Sequence, residues 1–165
     1  MVTSRATATR VVCIGNPIAA DDGVGIRIGE HLAAMALPDW ITVESRPLVG
    51  IDLLDVLHAE EDLVLVDACH TGAAPGTVRV LDLSDLTAMS FDQACLHSVG
   101  ICDVLAIAKR ASPETLPRSV HVVAVEGRVF HWLAPGLSPE VEGAMAEAID
   151  TLLALLGLPR PLPTS

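Results

Sequence analysis

The apolar positions of this chain fall into short runs, each followed by turn residues or by a helical repeat. Val11-Val12-Cys13-Ile14 is the first run and reads as the core of a buried strand over about 9–14. Gly15-Asn16-Pro17 then supplies turn chemistry, because Gly and Asn accept unusual φ and Pro blocks further strand pairing. Beyond Asp22, the residues Val24, Ile28, Leu32 and Met35 recur at helical spacing, which predicts a helix over 22–37 stopped by Pro38. Ile41-Thr42-Val43-Glu44-Ser45 alternates and reads as a second strand, and Gly50 to His58 reads as helical with Leu53, Leu54 and Leu57 on one face. Leu63-Val64-Leu65-Val66 is apolar throughout, as in a central parallel strand, and is predicted to end at Asp67.

The next predicted strand is Thr77 to Leu83. The nine residues between Asp67 and Thr77 include Thr71-Gly72 and Pro75-Gly76 and are too few for a helical crossover, so this strand should run antiparallel at an edge. Residues 84–97 lack periodicity and read as a long loop, of the kind that often carries function. Ser98 is placed to cap a helix whose apolar face is Ile101, Val104, Leu105 and Ala108. Pro113 and Pro117 bound a loop, Val120 to Val125 is a fifth strand, and Ser138-Pro139-Glu140 opens a last helix with Val141, Met145, Ala148, Ile149, Leu152 and Leu156 on its buried face. Strands alternating with helices predict an α/β protein, a three-layer α/β/α sandwich around a five-stranded, mostly parallel twisted sheet with one antiparallel edge strand.

Length and composition narrow the reading. At 165 residues, half of them hydrophobic, the chain is expected to form a single domain over 1–165, with loose tails at 1–7 and 159–165. A formal net charge of −11 repels phosphate backbones and anionic lipid, and only Trp40, Trp132, Phe91 and Phe130 could stack on bases, so nucleic acid is not an expected partner. No apolar run reaches the roughly 18–20 residues of a membrane helix. Arg5 and Arg10 before an apolar segment ending in Ala19-Ala20 imitate a signal peptide, but Gly15, Asn16 and Pro17 interrupt it. The four scattered cysteines, Cys13, Cys69, Cys95 and Cys102, form no CxxC pair and fit a reducing, cytoplasmic setting.

Candidate chemistry gathers where strands give way to helices, the edge at which open α/β sheets bind ligands. The glycines Gly15, Gly23, Gly25 and Gly29 do not fit a dinucleotide fingerprint, there is no Walker A segment, and two acids at the helix entrance would repel a pyrophosphate. Asp21 and Asp22 in a first helical turn have an ordinary explanation, since they complement the helix dipole. Asp67 weighs against that explanation alone, because a carboxylate closing an apolar central strand is costly without a partner. In a right-handed βαβ unit, strands one and three are neighbours, which brings Asp67 and the first helix to one sheet edge. His97 precedes the helix capped by Ser98. His31, His58, His70, His121 and His131 have weaker cases from their positions in helix, strand or loop. Two carboxylates and one imidazole at element ends would make an N/O site for a divalent transition metal, with positions open for water or substrate. No HExxH motif, nucleophile elbow or paired-cysteine motif is present.

The ordered set of local matches resembles the [NiFe]-hydrogenase maturation proteases. Gly15-Asn16 with Asp21-Asp22-Gly23-Val24-Gly25 is similar to the family's G-N-x-x-x-x-D-[DE]-x-x-G segment. Leu65-Val66-Asp67-Ala68 is similar to its second acidic segment, and Ala74-Pro75-Gly76-Thr77 to the turn before its edge strand. His97 with Gly100 and Asp103-Val104-Leu105 resembles its histidine segment, and Gly136-Leu137-Ser138 the approach to its last helix. The resemblance implies an endopeptidase that removes the C-terminal extension of a [NiFe]-hydrogenase large-subunit precursor. It implies Asp22, Asp67 and His97 as the metal-binding and catalytic set. The family commonly has Glu where this chain has Asp22, and often Ser or Thr where it has Cys95. The resemblance further implies no permanently bound cofactor, with nickel supplied by the precursor, and a monomer is expected. Two alternatives are a non-catalytic chaperone that binds the nickel-loaded large subunit and a same-fold peptidase acting on another precursor.

Overall fold

The computed structural model describes residues 7–47, 50–59, 61–88, 101–130 and 134–159. Five strands form one sheet: β1 (Thr9–Ile14), β2 (Ile41–Arg46), β3 (Asp62–Cys69), β4 (Val78–Asp82) and β5 (Ser119–Glu126). Their order is β2-β1-β3-β5-β4, so β3 lies in the centre. β1, β2, β3 and β5 are parallel, and β4 pairs antiparallel with β5 at the edge, as its short connection to β3 requires.

The alternation of side chains along β1 and β3 sorts the core into two layers. Val12, Ile14, Leu63 and Leu65 face one side, where Leu53 and Leu57 and the helix α3 (Ile101–Ala111) cover them through Val104, Leu105 and Ala108. Val11, Cys13, Val64 and Val66 face the other, covered by α1 (Val24–Ala33) through Val24, Ile28 and Leu32, and by α4 (Pro139–Leu155) through Val141, Met145, Ala148 and Leu152. This is the expected three-layer sandwich. Leu65 and Val66 are 2% and 0% exposed, so β3 is buried on both faces, which is why its sequence does not alternate in polarity.

Four local expectations differ from the structure. The first helix does not run over 22–37: Ala20–Gly23 is a 3-10 turn, and α1 occupies Val24–Ala33. The N–H groups of Ala34 and Met35 return to the carbonyls three residues back, of His31 and Leu32, which tightens the helix end before Pro38. Gly50–Val56 is a 3-10 segment rather than an α-helix. β3 does not stop at Asp67 but continues to Cys69, paired through to Glu126 of β5. Leu83–Ala88 forms a short helix, α2, which takes the last residue of the expected fourth strand and the start of the stretch expected to be a loop. Asp82 caps it: its Oδ1 accepts the N–H groups of Ser84 and Asp85 at 2.7 and 2.9 Å, while the Asp85 carboxylate accepts the Asp82 N–H at 3.0 Å. That reciprocal exchange is a capping box, and it starts a helix without an apolar stripe. The rest of that stretch, residues 89–97, lies outside the described residues, as do the Ser98 cap and most of both tails.

Candidate functional site

The carboxyl ends of β1 and β3 meet the entrance of α1 at one sheet edge. Gly25 permits this contact. A Cβ there would lie against the backbone oxygens of Ile14 and Val66, the latter at 2.6 Å, so only glycine lets the first turn of α1 rest on both strand ends. Upstream, the Asp22 carbonyl accepts the Asn16 N–H at 3.0 Å and lies over Gly15, whose φ is +150°. The helical turn bearing Asp21 and Asp22 is thereby folded back on the end of β1.

The paired acids have separate environments. Asp21 is fully buried, and its carboxylate meets the segment after β5. Its Oδ2 accepts the N–H groups of Arg128 and Val129 at 2.8 Å each and the Ser138 hydroxyl at 3.0 Å, and its Oδ1 accepts the Ser138 N–H at 2.6 Å. Burial pushes this carboxyl up, but the hydrogen bonds from Ser138, Arg128 and Val129 outweigh it and hold the group below the usual carboxylate range. The helix-dipole explanation is therefore insufficient for Asp21, which joins segments more than 100 residues apart in the chain. Asp22 is also buried, at 9% exposure, and its Oδ1 takes no hydrogen bond among the described residues, although the residue has other interactions.

Asp67 is 1% exposed in the central strand and pairs in register with Ala124 of β5. Its Oδ1 accepts the N–H of Ala68 at 2.8 Å. Cys13 pairs with Val66, so Asp67 stands one residue beyond, at the level of Ile14 and the turn leading to Asp22. The structure therefore brings the elements carrying Asp22 and Asp67 to a common edge, as the neighbouring order of β1 and β3 predicts. His97 lies outside the described residues, and so do Cys95 and His131. Among the described residues alone, no group of three His, Cys, Asp or Glu side chains is arranged to hold a metal ion.

Glu126 is the residue that sequence reasoning missed. It is 2% exposed at the end of β5. Its Oε1 accepts the N–H groups of Thr71 and Gly72 at 2.7 and 2.9 Å, and its Oε2 accepts the Thr71 hydroxyl at 2.7 Å and the Cys69 thiol at 3.3 Å. Burial opposes its ionisation, yet the bonds from Thr71, Cys69 and Gly72 keep its carboxyl below the ordinary glutamate value. The signal was available, because Glu126 closes an apolar strand as Asp67 interrupts one. His70, exposed just beyond β3, packs edge-on against Phe130 with ring centres 5.8 Å apart. Cys13 is inert packing: burial pushes its thiol up to about 12.

An open α/β sheet with buried carboxylates at the carboxyl ends of adjacent central strands defines a class of protein that works at that edge. The sequence model of the hydrogenase maturation protease family, HycI, matches residues 26–155, a span that includes Asp67 and begins after Asp22. The chain is 31% identical over 150 residues to the hydrogenase 2 maturation protease of Escherichia coli, covering 88% of each. It is 31% identical over 150 residues to the hydrogenase expression/formation protein HupD of Rhodobacter capsulatus, covering 87% of this chain and 70% of that one. Among solved structures, the hydrogenase-maturating endopeptidase HybD of E. coli superposes with a TM-score of 0.76 at 27% identity, covering 90% of this chain and 91% of HybD. The chain belongs to the hydrogenase maturation protease family, and is thus a hydrolase acting on peptide bonds. No helix among the described residues is long and apolar enough to cross a membrane.

Proposed function

We propose that this protease removes the C-terminal extension of a [NiFe]-hydrogenase large-subunit precursor once nickel has been inserted, and that Asp22, Asp67 and His97 engage that nickel. The observation that carries the reading is the buried pair of carboxylate-bearing elements at the β1 and β3 ends. Carboxylates gathered at one sheet edge make an anionic, oxygen-donor site, and a divalent cation brought by a substrate is the charge it complements. Carboxylate and imidazole ligands suit nickel, and a three-ligand set leaves positions for groups that the precursor already supplies. Nickel belongs to the substrate in this scheme. Cleavage then reports completed insertion, because only a loaded precursor fills the shared site.

In the proposed reaction, water attacks the scissile carbonyl, the carbon–nitrogen bond breaks, and the released amine takes a proton. The chain's own contribution is to hold the metal-bearing segment of the precursor by two carboxylates and an imidazole, so that the scissile bond is presented in one orientation. Asp67→Asn keeps the side-chain shape and removes the charge. With nickel-loaded precursor, its cleavage rate is expected to fall by about 100-fold or more, the magnitude associated with lost positioning. Wild-type cleavage by this variant would remove Asp67 from the scheme. A precursor held but never shortened by wild type would instead favour the non-catalytic chaperone.

A further inference from the structure

Two buried carboxylates outside the proposed metal set meet through one short segment of chain. Asp21 holds the N–H groups of Arg128 and Val129, and Glu126, two residues before Arg128, holds those of Thr71 and Gly72. Backbone bonds run beside them: the Asp21 N–H donates to the Val129 carbonyl and the Gly127 N–H to the Cys69 carbonyl, both at 2.9 Å. Residues 126–129 are thus tied on one side to the turn that carries Asp22. On the other side they are tied to the residues that follow Asp67. The turn is also strained where it joins this brace. Ala20 has φ +52°, a left-handed conformation unusual outside glycine, and its N–H is held by the Ala134 carbonyl at 2.8 Å. Such a residue persists only where its surroundings over-determine it.

We infer that Asp21 and Glu126 are positioning residues that set the separation and orientation of Asp22 and Asp67 through segment 126–129. The inference rests on the proposed function, in which those two carboxylates engage the precursor's metal. Neither Asp21 nor Glu126 needs to touch the substrate. Each carboxylate is filled by donors from the protein, and bonds of 2.6–2.9 Å from backbone N–H groups leave little play. A rim braced in this way meets the sub-ångström tolerance that a shared metal site requires.

The test is single-turnover cleavage of nickel-loaded precursor by Asp21→Asn and Glu126→Gln, with two milder variants, Ser138→Ala and Thr71→Val, each of which deletes one hydroxyl donor. Precursor affinity is measured separately by calorimetry and the folded fraction by circular dichroism. Asp21→Asn and Glu126→Gln are expected to bind the precursor within about threefold of wild type but to cleave at least about tenfold more slowly per folded molecule, with a smaller loss in the milder pair. Wild-type cleavage per folded molecule in the variants overturns the inference, because a merely structural role alters the folded fraction alone. If Asp21→Asn or Glu126→Gln does not fold, the milder pair decides by the same criterion. If wild type itself leaves the loaded precursor intact, the proposed function fails and the inference fails with it. Equal cleavage by wild type and variants sinks the inference alone.

Discussion

Ser138 donates both its N–H and its hydroxyl to the carboxylate of Asp21, at 2.6 and 3.0 Å. The serine stands at the N-cap of α4, yet its side chain makes no cap bond to its own helix. The hydroxyl is turned across the fold instead. Pro139, at the first helical position, lacks an N–H and reduces the need for a cap. Removing Asp21 would leave the buried N–H group of Ser138 and the partly buried N–H groups of Arg128 and Val129 without this acceptor. Asp21→Ala is therefore expected to destabilise by about 3–5 kcal/mol, and Ser138→Ala by only about 1 kcal/mol. Urea unfolding of the two variants checks the ratio, and equal losses would contradict the hub role of Asp21.

The Glu126 carboxyl predicts an acid-dependent loss of stability. Its folded value lies below the unfolded 4.5. A depressed carboxyl contributes stability that is fully present above the unfolded value and is lost as pH falls through the folded one. Unfolding free energy should therefore decline as pH drops below about 4.5, and Glu126→Gln should flatten part of that decline. Denaturant titrations at stepped pH measure it. An unchanged acid limb in the variant would argue against the ionised, fully bonded state.

Gly25 supports a steric prediction. A methyl group there meets the backbone oxygens of Ile14 and Val66, which the sheet holds in place. Gly25→Ala should cost about 3 kcal/mol or more, or force α1 away from the strand ends. Gly143 has open space around it, so Gly143→Ala in the exposed face of α4 should be neutral or stabilising. Thermal melts of the pair give the comparison. Equal effects would mean that α1 does not sit as closely as described.

Much of the fold was legible because its information is periodic. Val11 to Ile14 and Leu63 to Val66 announce buried strands, and Val141, Met145, Ala148 and Leu152 announce the inner face of α4. The antiparallel edge followed from loop length alone. α2 was not legible from periodicity because its start is specified by the Asp82–Asp85 capping exchange and not by an apolar stripe. The end of α1 was misplaced because Met35 still packs against the core after the helix has ended, which prolongs the apparent repeat.

The site was legible in a different way. Asp67 stood out as an acid in an apolar run, and its neighbourhood with the first helix followed from the strand order. The division of labour between Asp21 and Asp22 could not be read from two adjacent acids. It depends on where residues 128, 129 and 138 return in space. Arg128 and Val129 carry no motif, since they contribute backbone N–H groups, and Ser138 is marked in the sequence only as the approach to the last helix.

In the proposed function, cleavage depends on nickel in the precursor and on Asp22, Asp67 and His97. Intact-mass spectrometry of a co-expressed large-subunit precursor addresses both conditions together, with and without nickel, using wild type and His97→Ala. Loss of a C-terminal peptide is expected only with nickel present and His97 intact. Peptide loss without nickel, or undiminished loss with His97→Ala, would contradict the proposed function.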